Sequence, residues 1–444
     1  MKMLVVFTQE ITNRVQYIFD YLFEEILKVP VLLTSDLHEF NISDHPKINY
    51  SSLPVNCDLK MHPHPILFQR GITYQSLEPV TFEEEIFFFE SSGDSFLPFD
   101  PFAAGFYLVS RYEEYLMREL DEHCRYPSHR SVLYSNHLLN KPVVNQWTQL
   151  IARKIQASYP DFIYQKAKFN FLSTIDIDNA WAYKNKSLGR TAGALAKGFL
   201  KGNIQQNKER LQVIRGEKDD PYDTYDFIKG LYEGRNELLH FFILLGKTSK
   251  YDRNISPKNL QLQQLVQDLN SQYQVGIHPS YRSTKNKEEL SQEISHLQTI
   301  SNKKVESSRQ HFLRLELPKT YRRLINAGIK KDFTLGYADQ TGFRAGTASP
   351  FWFYDLKKEV TTKLRIYPFQ MMDVTLKNYL KLTPNEGMVV IEKLMMEIRK
   401  YGGTFISLWH NESLSDLGEW TGWREVFVRM TDMGIKYKDE STEN

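Results

Sequence analysis

Along the chain, short apolar runs typical of strands alternate with longer segments whose apolar residues recur at helical spacing. Before residue 160, strand-like runs lie at Met3–Phe7, Val31–Thr34 and Phe82–Phe89, and helix-like segments at Thr12–Leu27, Asp100–Leu116 and Val143–Ser158. Seven strand-like runs follow: Phe169–Asp176, Leu238–Leu245, Tyr273–His278, Lys304–Leu313, Phe333–Tyr337, Leu364–Pro368 and Thr404–Trp409. Strands that alternate with helices in this way predict parallel βα units.

Capping residues mark the helices between the later strands. Thr383-Pro384-Asn385-Glu386 is a capping box with proline at the first helical position, and Gly402-Gly403 ends the helix that it opens. Seven strands in so regular an alternation predict an α/β barrel or a doubly wound sheet over residues 161–444. A smaller α/β domain of unknown role over residues 1–160 precedes it, so two domains are expected for 444 residues.

Two acidic residues close one of these apolar strands. The run Phe169–Asn179 is apolar and β-branched up to Ile175, and Asp176 and Asp178 then follow one residue apart. Side chains at i and i+2 of a strand face the same side, so both carboxylates point into one space. Two like charges so close repel each other, share a proton or are held by a cation. Solvated acids at a surface strand end are the simpler alternative.

Composition narrows the class of protein. Apolar residues make up 41% and charged residues 25%, which is typical of globular cores, and a net charge of +2 gives no reason to expect nucleic acid. Only Cys57 and Cys124 occur, which argues against a disulfide scaffold or a thiolate metal site. The N-terminus turns polar too early for a signal peptide, and no apolar run is long enough to span a bilayer. We expect a cytoplasmic protein.

One segment breaks the alternation of strands and helices. A helical insertion is expected at about 187–220, and its basic part, residues 190–218, carries seven Lys and Arg residues with Leu195, Phe199 and Leu200 between them. A basic, solvated helix is the simpler interpretation. The alternative is an amphipathic surface that makes peripheral contact with a membrane or an anionic carrier.

Polar residues collect where the predicted strands end, and in parallel βα folds this is where catalytic groups lie. In strand order they are Asp176 and Asp178; His278; Arg309 and His311; Asp339 and Arg344; Asp373; and His410, Asn411 and Glu412. A single histidine on an apolar strand is usually a packing residue. Three histidines and two aspartates at the same end of several strands match the ligand set of a catalytic zinc-type ion, with one position open for water.

Several of these segments resemble the motifs of polysaccharide deacetylases, the metal-dependent carbohydrate esterases of family four. Ser173-Thr174-Ile175-Asp176-Ile177-Asp178 looks like the first motif, Gly276-Ile277-His278 the second, and Leu408-Trp409-His410 the fifth. The segment from Val305 to Arg309 is similar to the strand that carries the arginine of the third motif. The resemblance covers about residue 169 to the end and implies a distorted (β/α) barrel of about seven strands.

The resemblance also implies roles for individual residues. Asp176 would be the general base, His410 the acid and Arg309 a catalytic group that orients Asp176 or attracts substrate anions. The resemblance implies a divalent metal, Zn²⁺, held by Asp178 and His278. Substrate contacts are expected from Arg344, Trp409 and Tyr337. Residues 1–160 resemble a module attached to some bacterial deacetylase-like proteins of uncharacterised activity.

One position departs from the family pattern. The second motif is normally His-x-x-x-His with both imidazoles on the metal, but Arg282 stands four residues after His278. An arginine cannot ligate a cation. His311, which stands two residues past Arg309 where the third motif normally has proline, is the candidate for the missing ligand. If no residue replaces it, the metal is lost.

These patterns lead to two functional hypotheses. The first is a metal-dependent hydrolase that removes an acetyl group from an N-acetylated or O-acetylated sugar or glycan precursor. The second is a catalytically inactive barrel that binds carbohydrate or acts as a scaffold, which Arg282 favours. A different hydrolase that uses Asp339, Arg344 and Asp373 is a third interpretation. Trp352, Tyr354 and Trp409 either stack on a sugar face or pack within the fold.

Overall fold

A computed structural model describes residues 3–91, 93–116 and 119–443. The chain begins with a three-stranded parallel sheet in the order β2-β1-β3, formed by β1 (Leu4–Phe7), β2 (Val31–Thr34) and β3 (Lys47–Asn49). A small antiparallel hairpin follows, formed by β4 (Val80–Phe82) and β5 (Glu85–Phe87). The hairpin replaces the single strand that the sequence predicts at this place, because Glu83 and Glu84 both adopt positive φ values and turn the chain.

Six helices belong to this first part of the described chain: α1 (Asn13–Phe19), α2 (Leu37–Ile42), α3 (Pro101–Val109), α4 (Tyr112–Leu116), α5 (Val132–Ser135) and α6 (Val143–Ser158). A π-helical segment, Asp20–Leu27, continues α1. The side chains of Thr12 and Asp100 accept hydrogen bonds from the first turns of α1 and α3, as the sequence predicts. Arg111, at a φ of 57°, divides the predicted helix 100–116 into α3 and α4.

The second part is built on a nine-stranded sheet in the order β11-β12-β10-β9-β8-β7-β6-β14-β13. Its strands are β6 (Phe169–Ile177), β7 (Leu239–Ile243), β8 (Gln274–Ile277), β9 (Ser307–Ser308), β10 (Lys331–Asp332), β11 (Phe351–Asp355), β12 (Val360–Ile366), β13 (Met371–Met372) and β14 (Gly403–His410). All neighbours are parallel except β11 and β12.

The sheet is open and mixed, and no closed barrel is present among the described residues, whereas the resemblance in the sequence implies a distorted (β/α) barrel of about seven strands. Among the described residues, no ladder joins β13 to the opposite edge of the sheet. Two strands, β11 and β13, were not among the seven predicted. The segment predicted at 304–313 supplies only β9, and β10 lies just before the segment predicted at 333–337, because most of the predicted residues form loops at the carboxyl end of the sheet.

Eight helices accompany this sheet: α7 (Leu188–Leu200), α8 (Ile204–Ile214), α9 (Tyr225–Leu231), α10 (Leu260–Gln272), α11 (Lys287–Ser301), α12 (Lys319–Asn326), α13 (Pro384–Tyr401) and α14 (Trp423–Glu443). The capping box at Thr383 is present, and Gly402 ends α13. The predicted basic insertion is a pair of helices, α7 and α8, separated near Gly202, whose φ is +70°. The long C-terminal helix α14 was not predicted.

One continuous apolar core contains residues from both parts of the chain. The side chain of Asn145, on α6, donates hydrogen bonds to Ser349 and Gly402 and accepts one from Ala348. The backbone N–H of Val144 donates to the carbonyl of Gly346. The division at residue 160 stays a prediction from the sequence. Within the described residues, no helix is long and apolar enough to cross a membrane.

Candidate metal-dependent active site

The carboxyl ends of the parallel strands surround a cavity of about 400 Å³. β6 lies between β7 and β14, so its end is central, and Asp176 pairs in register with His410 of β14. His278 follows β8 directly, and His311 follows β9 by three residues. Because all these strands are parallel, the polar residues that end them meet at one edge, and Asp176, Asp178, His278, His311 and His410 all line the cavity.

Three potential metal ligands converge inside this cavity. Asp178 Oδ1 lies 3.2 Å from Nε2 of His278, and Asp178 Oδ2 lies 3.2 Å from Nε2 of His311. One ligand atom from each residue lies within 4.8 Å of the other two. Edges of a tetrahedral zinc site with metal–ligand bonds of ~2.0–2.1 Å measure about 3.3 Å. The spacing is therefore of the size that a zinc-type ion requires.

The hydrogen bonds behind the two imidazoles fix which nitrogen faces the cavity. Nδ1 of His278 donates to the carbonyl of Arg309 at 2.6 Å, and Nδ1 of His311 donates to Asp252 Oδ1 at 2.9 Å. Both Nε2 atoms then face Asp178. A second partner on Nδ1, either a carbonyl or a carboxylate, is the usual arrangement around metal-bound histidines.

Two buried polar atoms at this place have no hydrogen-bond partner among the described residues: Asp178 Oδ1 and His278 Nε2. Such orphaned atoms are costly unless another group binds them. A cation between them would satisfy both at once. The donor set, the spacing and the orphaned atoms thus fit a divalent metal bound by Asp178, His278 and His311.

Asp176 is held from below by a buried arginine. Nη1 of Arg309 donates to Asp176 Oδ1 at 3.0 Å and to Thr174 Oγ1 at 2.6 Å, while Nε donates to the carbonyl of Phe333 at 3.0 Å. The guanidinium also lies over the ring of Phe242. Arg309 is fully buried beneath the cavity, so it positions the Asp176 carboxylate and does not reach a substrate.

His410 faces the same space from β14 and is anchored by Asp373. Its Nδ1 donates to Asp373 Oδ1 at 2.9 Å, its backbone N–H donates to Asp373 Oδ2 at 2.8 Å, and Ser413 donates to the same carboxylate. Nε2 of His410 lies 4.0 Å from Asp178 Oδ2. Its free ring nitrogen is thus turned toward the metal ligands.

The electrostatics of the cavity follow from these pairs. Burial lowers the pKa of His311, but the nearby carboxylates of Asp178 and Asp252 more than offset it and raise that pKa to about 9. In the same way Asp373 holds the pKa of His410 well above its usual value despite burial. Burial raises the pKa of Asp178, and the two imidazoles outweigh it and hold that pKa well below its ordinary range.

The predicted substrate residues lie outside this cavity. Arg344 is buried in an ion pair with Glu114 and lies over the ring of Tyr337, and both residues line a separate cavity. Trp409 is corrected to a core residue: it is fully buried and its Nε1 donates to Sδ of Met430 on α14. Strand alternation explains this, because Leu408 and His410 face the cavity and the residue between them must face the other side.

Arg282 lies on the surface, where its side chain is 61% exposed and pairs with Glu289. It therefore takes no part in the cavity, and the second imidazole beside His278 comes from His311. Of the other aromatic candidates, Tyr354 is buried and Trp352 donates to Glu25 away from the site.

Several residues of the cavity were missed by sequence reasoning. Asp252, which accepts a hydrogen bond from His311, lies in the loop after β7. Of the seven predicted strands, this is the one for whose end the sequence predicted no site residue. Arg125 reaches the cavity from the first part of the chain, where its guanidinium donates to Tyr379 and to the carbonyl of Phe312. Tyr222 and Tyr251 also line it. No signal in the sequence identifies Asp252, because it lies nine residues past the end of β7 and only the path of the loop brings it to His311.

Comparisons with known proteins give a consistent but coarse result. A family of unknown function, DUF7033, matches residues 4–160. No curated protein matches the chain. Among solved structures, the chain is similar to a candidate polysaccharide deacetylase from Mycobacterium smegmatis, with 11% identity, a TM-score of 0.40, and coverage of 61% of this chain and 86% of the other.

Two further structures are similar over part of the chain. A CE4 family pseudoenzyme from Bacillus anthracis shows 12% identity and a TM-score of 0.30 over 61% of this chain and 63% of its own. A polysaccharide deacetylase from Bacillus cereus shows 11% identity and a TM-score of 0.28 over 49% of this chain and 82% of its own. Similarities of this strength assign neither an activity nor a substrate to this chain.

Proposed function

We propose that this chain is a metal-dependent hydrolase that removes an acetyl group from an N-acetylated or O-acetylated sugar or glycan precursor. The observation that carries the proposal is the convergence of Asp178, His278 and His311, with both imidazoles fixed through Nδ1, beside a positioned carboxylate and a positioned third imidazole. The motif resemblance in the sequence supplies the reaction class, and the site geometry supplies the residues.

Asp178, His278 and His311 would hold the ion, and Zn²⁺ suits two imidazoles and a carboxylate. When bound, such an ion polarises a carbonyl and lowers the pKa of water. Asp176 accepts a proton from the attacking water, and the hydrogen bond from Arg309 orients its carboxylate for this role. His410 donates a proton to the departing amine or alcohol, and Asp373 keeps that imidazole protonated and aimed.

The test measures metal content and acetate release in the same preparations. We expect about one zinc-type ion for each wild-type chain, as the three-ligand site requires. Asp176→Asn should keep the ion and lose acetate release from N-acetylated sugars by ~10²-fold or more, whereas His278→Ala should lose both. Turnover by Asp176→Asn at the wild-type rate would contradict the assignment of the base.

A catalytically inactive protein that binds carbohydrate is the alternative function. The sequence favours it at one position, Arg282, which stands where the second motif normally has a metal-binding histidine. The same measurements separate the two functions. A wild-type protein that takes up no divalent ion after metal supplementation, yet binds acetylated sugars, would support the binder. Binding of about one ion together with acetate release would support the hydrolase.

A further inference from the structure

A second cavity, of about 670 Å³, lies beside the active site under the helices α7 and α8. Six cationic side chains line it: Lys186, Arg190, Lys197, Lys201, Arg210 and Arg253. No Asp or Glu is found among its lining residues in the part of the chain that the structure describes. So many positive charges around one space repel one another unless an anion enters it.

The cations of this cavity are poorly compensated by the protein itself. Arg190 donates to the carbonyls of Asn254 and Arg253, at 3.0 and 2.7 Å, and these bonds leave its charge unpaired. Arg210 lies over the ring of Tyr183, and its buried Nε has no hydrogen-bond partner among the described residues. Burial, and then the charge of Arg190, lowers the pKa of Lys186 to about 8. Each of these features is relieved by a bound anion.

The basic cavity adjoins the candidate active site. Asn179, Tyr222 and Arg253 line both cavities, and Asn179 follows Asp178 directly. A ligand can therefore place its reacting group beside Asp178 and an attached anionic group among the cations. Lysine and arginine together are suited to phosphate oxygens, which accept several charge-assisted hydrogen bonds at once.

We infer that the substrate is an acetylated sugar that carries a phosphate or diphosphate group, and that this group binds in the basic cavity beneath α7 and α8. The inference rests on the proposed function, which it makes more specific by naming the class of substrate. The phosphate has two sources with the same chemistry: a water-soluble sugar phosphate or a lipid-linked one. Leu188, Phe199 and Leu200, 90%, 76% and 85% exposed on α7, make the lipid-linked source worth testing.

The test uses a triple variant of the full-length protein, Lys186→Gln, Lys197→Gln and Lys201→Gln. A control triple variant, Lys208→Gln, Lys287→Gln and Lys304→Gln, makes the same charge change at residues that line neither cavity. Acetate release is compared for a neutral N-acetylhexosamine glycoside, an N-acetylhexosamine 1-diphosphate in solution and the same sugar diphosphate on an isoprenoid in neutral phosphatidylcholine vesicles. Calorimetry measures the affinity for inorganic pyrophosphate.

For the wild type and the control variant, we expect kcat/KM to be about 10-fold or more higher for a diphosphate sugar than for the neutral sugar, because the diphosphate makes several charge-assisted hydrogen bonds. The cavity variant should lose this preference, keep its turnover of the neutral sugar and bind pyrophosphate about 10-fold or more weakly. Preference for the vesicle-bound substrate would identify a lipid carrier as the source, and preference for the dissolved one a soluble sugar phosphate.

Equal pyrophosphate affinity in the cavity variant and the control would overturn the inference. So would loss of pyrophosphate binding in His278→Ala with retention in the cavity variant, because the anion would then bind at the metal. If no acetylated sugar is turned over by any form, the proposed function fails, and the pyrophosphate measurement still decides whether the basic cavity binds phosphate.

Discussion

At the scale of single residues, each histidine of the active site is fixed through its Nδ1 atom. His278 donates to a backbone carbonyl, His311 to Asp252 and His410 to Asp373. Their Nε2 atoms therefore all face the space around Asp178. Packing alone would not turn the same nitrogen of three buried rings toward one carboxylate. The common orientation therefore favours a chemical role for these histidines over a packing role.

The partner of His410 provides the first prediction at this scale. Asp373→Asn should lower kcat by ~10²-fold, because the imidazole loses the carboxylate that orients it and holds its proton. KM should change little, since Asp373 is fully buried and touches no substrate. Steady-state kinetics on an acetylated sugar checks this. Asp339→Asn, whose carboxylate accepts from Ser128 outside the site, is the matched control.

Asp332, buried beneath Arg309, gives a prediction about pH. Burial raises the pKa of this carboxyl from 3.8 to about 6. The native protein then holds a proton that the unfolded chain releases, so this group stabilises the fold fully below about pH 4 and loses that contribution as the pH rises through about 6. Asp332→Asn, which cannot ionise, should gain up to ~3 kcal/mol relative to wild type between pH 4 and 7.5. Denaturant unfolding at both pH values measures the difference, and a constant difference would contradict the expected pKa.

At the scale of elements, the sequence predicts long, regularly patterned segments well. Val31–Thr34 and Val143–Ser158 match β2 and α6 at both ends, β6 extends one residue past its predicted end, and β14 is one residue longer at each end. Alternation and caps are local signals, so they survive in a single sequence. Where a strand has only two residues, as in β9, β10 and β13, its pairing depends on neighbours in the sheet and leaves no local pattern.

The site residues were predictable to the same extent as the strands that carry them. The rule of strand ends gives Asp176, Asp178, His278, His311 and His410, all of which line one cavity in the structure. It does not give Asp252, because a loop of irregular path brings this residue back to His311. Nor does it separate the two faces of β14, which is why Trp409 was placed with the substrate.

Gly402, which ends α13 and precedes β14, yields a prediction at the element scale. A methyl group on Gly402, whose φ is +78°, would come within 2.1 Å of the carbonyl oxygen of Ala167. Gly71 has the same φ, but nothing lies within 4 Å of its Cβ position, so Gly71→Ala bears only the conformational cost, ~1–2 kcal/mol. Gly402→Ala should cost more than ~3 kcal/mol, because backbone must also move. Thermal unfolding compares the two variants, and equal losses would show that the contact is easily relieved.

At the scale of the whole molecule, residues before 160 contribute to the candidate site as well as to the core. Arg125 forms part of the cavity wall, and its contacts with Phe312 and Tyr379 connect that wall to the loops after β9 and β13. His123 packs on Phe312 beside it. The region that DUF7033 matches is therefore in direct contact with the site, and its role is to be sought in substrate binding as well as in stability.

A buried ion pair between Glu114 and Arg344 joins the two parts of the chain. Variants of this pair test whether Arg344 has a structural role or makes the substrate contact that the sequence predicts. Both side chains are buried, with Nε and Nη2 of Arg344 at 2.9 and 2.8 Å from the carboxylate. Glu114→Ala should destabilise by ~3–5 kcal/mol, because it leaves a buried charge uncompensated. Adding Arg344→Met should restore part of that loss.

Unfolding free energies of both single variants and the double variant measure the coupling between the two residues, and the kinetics of Arg344→Met should show an unchanged KM. A raised KM without loss of stability would return Arg344 to the substrate site.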